Sequence, residues 1–365
     1  MPGPRFRPKA VNHFFVPGQT AGGIMTAQAA SSITSAPLLQ ARNNLILHQA
    51  LYAAAKLGVA DLLNGGVRTT AELAGELKVN EEALYRMLRA LASQGIFEET
   101  TPRTFGNSQL SRSLRTGEPG SVRALFLFFG TELYYRSLGE ILYSIQTGEP
   151  ARAKLLGMSE WEYLRQHPEL ARTFDDAMTS NSDLTGATIA AAYDFGAWES
   201  IMDVGGGNGI LLSHVLKAHK KLRGVLADQP HVLERARQRG FLGGELAART
   251  SIQEVDFFRE IPSGCRAYLM KSVIHDWDDE KAREILVQCR RAVPANGALL
   301  LVEWGLSEAN LPSTGKLMDL VMLVLTGGKE RTIEEYRALL ASGGFQLQKV
   351  TPTASEYAII EAIPA

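Results

Sequence analysis

Cysteine is nearly absent. Cys265 and Cys289 are the only two in 365 residues, too few for a disulfide framework or a four-ligand zinc site. Both read as buried, reduced thiols. Long apolar runs are absent too: none approaches the roughly 18 residues of a membrane span. No apolar segment follows the early basic residues Arg5, Arg7 and Lys9, so a signal-peptide core is not expected. Charge of one sign is also lacking. The formal net charge is −1, and nothing global points to nucleic acid or an anionic membrane surface. A cytoplasmic protein is the expectation.

At 365 residues the chain has room for two domains. Residues 1–36 mix Pro, Gly, Ser, Thr and Ala and read as a flexible extension, with Met25 as an alternative start. Residues 37–114 read as a helical, winged module, and residues 115–192 as a helical, aromatic-rich linker. From 193 to 365 strands and helices alternate, which predicts a doubly wound α/β sheet.

The stretch Ile201-Met-Asp-Val-Gly-Gly-Gly-Asn-Gly209 organises that last part. Ile201 to Val204 reads as a buried strand end, and Leu211, Leu212, Val215 and Leu216 give a helical stripe. Strand, glycine turn, helix lets backbone N–H groups approach a ligand. Dinucleotide sites need G-x-G-x-x-G. Counted from Gly205, the third position here is Ile210. The pattern Gly205-x-Gly207-x-Gly209 after Asp203 instead resembles the first motif of class I S-adenosylmethionine (SAM) methyltransferases. Gly224 to Asp228 is a short apolar run ending in the acid expected to hold a ribose about 20 residues on.

Further strands are expected near 249–253, 266–270 and 298–303. Residues 345–350 and 356–362 then form two runs with no helix between them. Runs so close must pair antiparallel.

Upstream, Thr69 or Thr70 with Glu72 suggests a capped helix, Glu81 to Ser93 another, and Gly95–Glu99 with Thr104–Ser108 a wing. Winged helices often bind DNA. Between Thr69 and Glu99, however, three basic residues (Lys78, Arg86, Arg89) face six glutamates, net −3. A phosphate-binding face needs the opposite sign. A homodimerisation module is expected instead. In the linker, most aromatics read as core. Phe129, Phe174 and Met178, with Met322 farther on, are candidates for a flat apolar acceptor pocket.

Four more stretches carry chemistry: Gln253–Phe258, Leu269–Glu280, Leu299–Trp304 and Gly327–Thr332. With the glycine turn, these closely resemble the small-molecule O-methyltransferases of the plant caffeate type and the bacterial polyketide- and phenazine-tailoring type. The resemblance covers about residues 40 to 365. It is most specific in Lys-x-x-x-His-Asp-Trp (271–277) and Gly-Gly-Lys-Glu-Arg-Thr (327–332). It implies SAM as cofactor, a Rossmann-like domain and a winged dimerisation domain. It implies that Gly205 and Gly207 hold the methionine part, Asp228 the ribose, and Asp256 with Phe257 the adenine. Lys271 would also contact the cofactor. His275 would be the general base, flanked by Glu303 and Glu330. Where many relatives carry Met, this chain has Phe257, which can still cover a ring.

The residues support that reading. His275 follows a strand end, where doubly wound folds place ligands. A phenol ionises near pH 10 and histidine near 6.5. A neutral imidazole can therefore take the phenolic proton as the oxygen attacks, and nearby carboxylates fix its tautomer. Asp276 is either a second partner or a helix cap. No metal is required. Two alternatives remain: a SAM-binding regulator using the winged module on DNA, and N- or C-methylation within the same family.

Overall fold

The structure is a computed structural model describing residues 35–307 and 309–365. The extension expected over 1–36 falls almost wholly outside them. Residues 36–57 form one helix. From Leu47 onward the chain makes one compact unit.

Thr69 starts that unit's winged part as sequence chemistry dictates. Its hydroxyl accepts from Glu72 N–H while the Glu72 carboxylate accepts from Thr69 N–H, a full capping box on helix Thr70–Leu77. Asn80 caps helix Glu81–Ala92, whose Leu84, Leu88 and Leu91 face inward at helical spacing. Three short strands, β1 (Arg68–Thr69), β2 (Phe97–Thr101) and β3 (Thr104–Asn107), pair antiparallel in the order β1-β3-β2. Six helices then run from Arg123 to Ala192, ending in Pro168–Ala192.

The large sheet has seven strands. They are β4 (Ser200–Val204), β5 (Arg223–Asp228), β6 (Thr250–Glu254), β7 (Ala267–Lys271), β8 (Ala298–Trp304), β9 (Phe345–Pro352) and β10 (Tyr357–Pro364). Their order is β6-β5-β4-β7-β8-β10-β9. All neighbours are parallel except β10, which runs antiparallel to both β8 and β9. The chain order reverses between β4 and β7, the switch point at which open α/β sheets bind ligands.

Side chains alternate across this sheet. Met202, Tyr268, Met270, Leu299 and Leu301 pack on one face, with helices Asp279–Ala292 and Ile333–Ser342. Ile201, Leu269, Leu300 and Val302 pack on the other, with helix Ile210–Ala218. Burial on both faces explains why β8 reads as an unbroken apolar run. It also makes the carboxylate at its end, Glu303, conspicuous.

Candidate active site

Gly205, Gly207 and Gly209 all adopt left-handed backbone, with φ of 71°, 58° and 80°. At Gly205 a Cβ would also lie 2.9 Å from Val273 Cγ2. At Gly207 it would meet nothing within 4 Å, so the turn opens outward there. Gly205 N–H donates to Ala227 O at 2.8 Å, tying the turn to β5. Asp228, ending β5, accepts from Gly207 N–H at 2.9 Å and Gln229 N–H at 2.7 Å. Burial raises its pKa, and these two N–H groups and Arg235 counter that.

Asp203 faces this turn and is almost wholly buried. Burial, then the Asp228 charge, pushes its pKa up to about 7, with Lys271 opposing. Its Oδ2 has no hydrogen-bond partner among the described residues. An orphaned buried acid beside an open glycine turn suits a cofactor with a cationic amine, so the donor set fits SAM. The sequence reading noticed Asp203 only as the residue before the glycines. Phe257 closes one side, with Cε1 3.8 Å from the Cβ position of Gly205. Asp256 is exposed, and its carboxylate accepts from Phe258 N–H in its own turn. Lys271 Nζ lies 3.4 Å from the Tyr357 hydroxyl. That hydroxyl also meets Asn181 and Ser272, a cluster no sequence motif announced.

His275 sits on a short turn, Ile274–Asp276, just past β7. Ser272 enters that turn with φ of 53°, a costly backbone for a non-glycine residue. Glu303 Oε1 holds it, accepting from Val273 N–H at 3.2 Å and Ile274 N–H at 3.0 Å. Arg331, fully buried, donates to Ile274 O and Trp277 O on either side of the histidine and to Asp279. Gly328 packs so tightly beneath that a Cβ would come within 2.0 Å of His275 O. Thr332 then caps helix Ile333–Ser342 with Glu335. The 327–332 stretch thus reads as glycine for approach, glutamate for the ring, arginine for the loop and threonine for the cap.

The two glutamates differ. Glu330 Oε1 accepts from His275 Nδ1 at 2.6 Å, whereas Glu303 Oε2 stands 3.9 Å away. Nε2 lies 3.7 Å from Asp276 Oδ1. Burial alone would lower the His275 pKa. Asp276, Glu303 and Glu330 more than offset it, and the pKa rises to about 10. The surrounding acids thus favour the imidazolium more than they would at an ordinary histidine. Burial raises Glu303 as well, and Asp276 to about 6. Among the described residues, His275, Glu303 and Glu330 are the one histidine–carboxylate group with metal-like spacing, within 4.8 Å. However, Nδ1 is committed to Glu330, and Glu303 Oε1 to two backbone N–H groups.

Phe129, Phe174 and Met178 share one apolar cluster with Phe128, Tyr134, Val324 and Leu325. Met322 is buried on the same helix as Val324, Thr314–Leu325. Trp161, which the sequence did not separate from core, bridges Phe174 and Trp277 at 5.9 Å each.

Known proteins match this chain in sequence and fold. An O-methyltransferase domain family matches residues 135–346, and an O-methyltransferase dimerisation domain matches residues 39–117. The phenazine O-methyltransferase of Lysobacter antibioticus is 42% identical over 90% of this chain and 96% of its own. An 8-amino-8-demethylriboflavin N,N-dimethyltransferase of Streptomyces davaonensis is 34% identical, covering 85% and 90%. The crystal structure of LaPhzM superposes with a TM-score of 0.87 at 42% identity, covering 91% of this chain and 99% of that one. Human N-acetylserotonin methyltransferase, solved with SAM, gives 0.85 at 25% identity, covering 92% and 99%. The glycine turn, the strand-end acids and these matches together make the chain a member of the SAM-dependent O-methyltransferase family, with that family's dimerisation domain.

Proposed function

We propose that this protein methylates a hydroxyl of an aromatic small molecule of the phenazine or polyketide kind, with His275 as general base. The observation that carries this is the 2.6 Å Nδ1–Glu330 contact, which leaves Nε2 for the acceptor. SAM, when bound, supplies a methyl group activated as a sulfonium. The chain's own residues orient the acceptor and move its proton. His275, raised to about 10, matches a phenol near 10, so proton transfer between them is close to balanced. The reactive state carries one proton fewer than the resting site. Glu330 keeps Nδ1–H in place while Nε2 takes the proton. Glu303 and Arg331 hold the loop. Gly205, Gly207, Asp228, Phe257 and Lys271 serve the cofactor, with Asp256 at its adenine end. Phe129, Phe174, Met178 and Met322 line the acceptor, with Asp276 at its polar end.

N-methylation is the second reading, favoured by the riboflavin-type relative. An amine acceptor needs no base before attack, so dependence on His275 separates the two. Purified protein with labelled SAM should methylate hydroxyphenazines or hydroxylated polyketide aromatics. His275→Ala should cut that turnover by roughly 10²–10⁴ with SAM binding nearly intact. Near-normal turnover of the variant at neutral pH would remove His275 from the chemistry.

In our reading the chain parses into the winged dimerisation module (37–114), the acceptor-lining helices (115–192) and the methyltransferase domain (193–365). It works as a cytoplasmic homodimer. Exposed Leu38, Ile46, Leu142, Ile145 and Leu317 support the dimer. No nucleic acid or membrane is engaged. The segment from Thr69 to Glu99 carries a net charge of −3, and no helix among the described residues is long and apolar enough to cross a membrane.

A further inference from the structure

One buried charge pair lies outside the machinery above. Arg152 on helix Ala151–Leu156 is 1% exposed, and Glu160 on helix Glu160–Gln166 is 5% exposed. Arg152 Nη1 donates to both Glu160 oxygens, at 3.0 and 2.8 Å. Its Nε and Nη2 have no hydrogen-bond partner among the described residues. Buried donors are rarely left unmade, because each forfeits its hydration without return. These two share one edge of the guanidinium, the fork that grips a planar oxygen group. The protein shows what that edge accepts. In Arg331, Nε and Nη2 converge on a single oxygen, Asp279 Oδ1, at 3.0 and 2.9 Å.

The pair belongs to the wall of helices beside His275. Ala151 packs in the cluster that holds Phe129, Phe174 and Met178. Trp161, next to Glu160, reaches Trp277 at 5.9 Å. The charge of Glu160 contributes to raising Asp276, the neighbour of His275. Pro150 Cγ lies 3.4 Å from the Cβ position of Gly327, at the start of the glycine-rich stretch.

We infer that Arg152 determines acceptor specificity, its Nε–Nη2 edge receiving a carbonyl or carboxylate oxygen on the aromatic acceptor, with Glu160 as the positioning residue that holds the guanidinium. The inference rests on the aromatic-acceptor reading above. A carbonyl suits the site best, since the ion pair is already neutral. A carboxylate adds a second negative charge, which fits if Glu160 then takes a proton. Burial already raises the Glu160 pKa, against the pull of Arg152.

Removing Arg152 alone leaves a buried, unpaired carboxylate, so the test uses Arg152→Leu/Glu160→Leu, which replaces the pair with apolar side chains and is generally tolerated. Acceptor binding is measured by calorimetry on protein carrying S-adenosylhomocysteine, which reads recognition without turnover. The probes are hydroxyanthraquinone against hydroxyanthracene, and hydroxynaphthoate against naphthol. Wild type should prefer the oxygen-bearing member of at least one pair by about tenfold or more, the worth of a charge-assisted hydrogen bond. The double variant should lose that preference while its affinity for the plain member changes less than about threefold. Loss on the anthraquinone pair alone assigns the carbonyl, and loss on the naphthoate pair alone the carboxylate. An equal loss across all four compounds, or an unchanged preference, overturns the inference. Methyl transfer from labelled SAM, run in parallel, tests the O-methyl reading separately. Selective binding without any transfer would sink that reading and leave this one standing.

Discussion

The strand edge and the helical wall border the same site, yet they are built by opposite means. On the strand edge several functional groups are fixed by hydrogen bonds to the backbone. Asp228 accepts from two N–H groups, Glu303 from two more, and Arg331 clamps two carbonyls. On the helical wall the groups, Arg152 and Glu160 apart, are apolar and are held by packing, as Phe128 packs edge-on against Phe129 and Phe174. The first kind of construction tolerates little change, because a misplaced carboxylate strands several partners at once. The second can swap one apolar side chain for another of similar volume at small cost. A rigid edge with an adaptable wall suits one fixed cofactor and a variable acceptor.

The comparison can be broken from either side. The larger effect is expected at the edge. Asp228→Ala removes the carboxylate that ties Gly207 to β5 and should weaken SAM binding by roughly 10–100-fold, the range of a hydrogen bond to a charged group. The ranking of acceptors should stay as it was. Calorimetry showing equal SAM affinity in variant and wild type would mean that Asp228 serves only the turn. The smaller effect is expected at the wall. Phe174→Leu should raise KM for a large acceptor by roughly two- to tenfold and leave SAM affinity alone. A variant that instead lost SAM affinity would show that the wall and the edge are one cooperative unit.

The same contrast sets what the sequence could reveal. The strand edge was legible because it is local. Gly205 and Gly207 follow a strand and Asp228 ends the next one, just as Thr69 and Glu72 in the winged part lie one helical turn apart. The alternation of strands with helices after residue 193 pointed to the parallel sheet, and the short spacing of β9 and β10 to the antiparallel finish. The unequal roles of Glu303 and Glu330 were not legible. They depend on which carboxylate the turn at Ser272 brings toward Nδ1, a matter of ångströms between residues 27 apart in sequence. Nor was the raised histidine pKa, which needs three acids gathered from separate segments around one ring. Arg152 and Glu160 belong to no sequence motif. Only packing shows them buried, and only the hydrogen-bond geometry shows one edge of the guanidinium free.

The account turns on His275 as a base held by Glu330, and the pH dependence of kcat/KM for a phenolic acceptor tests it most directly. A histidine raised to about 10 by its carboxylates is protonated in the free enzyme at neutral pH and becomes a base only as that proton leaves. Activity should therefore climb by about tenfold per pH unit from near 7 toward 9. In Glu330→Gln one of the acids that raise the pKa is gone, so the rise should level off at lower pH, with a lower plateau because the ring is held less firmly. A wild-type profile that breaks near 6.5, the ordinary histidine value, and does not move in Glu330→Gln would contradict the account.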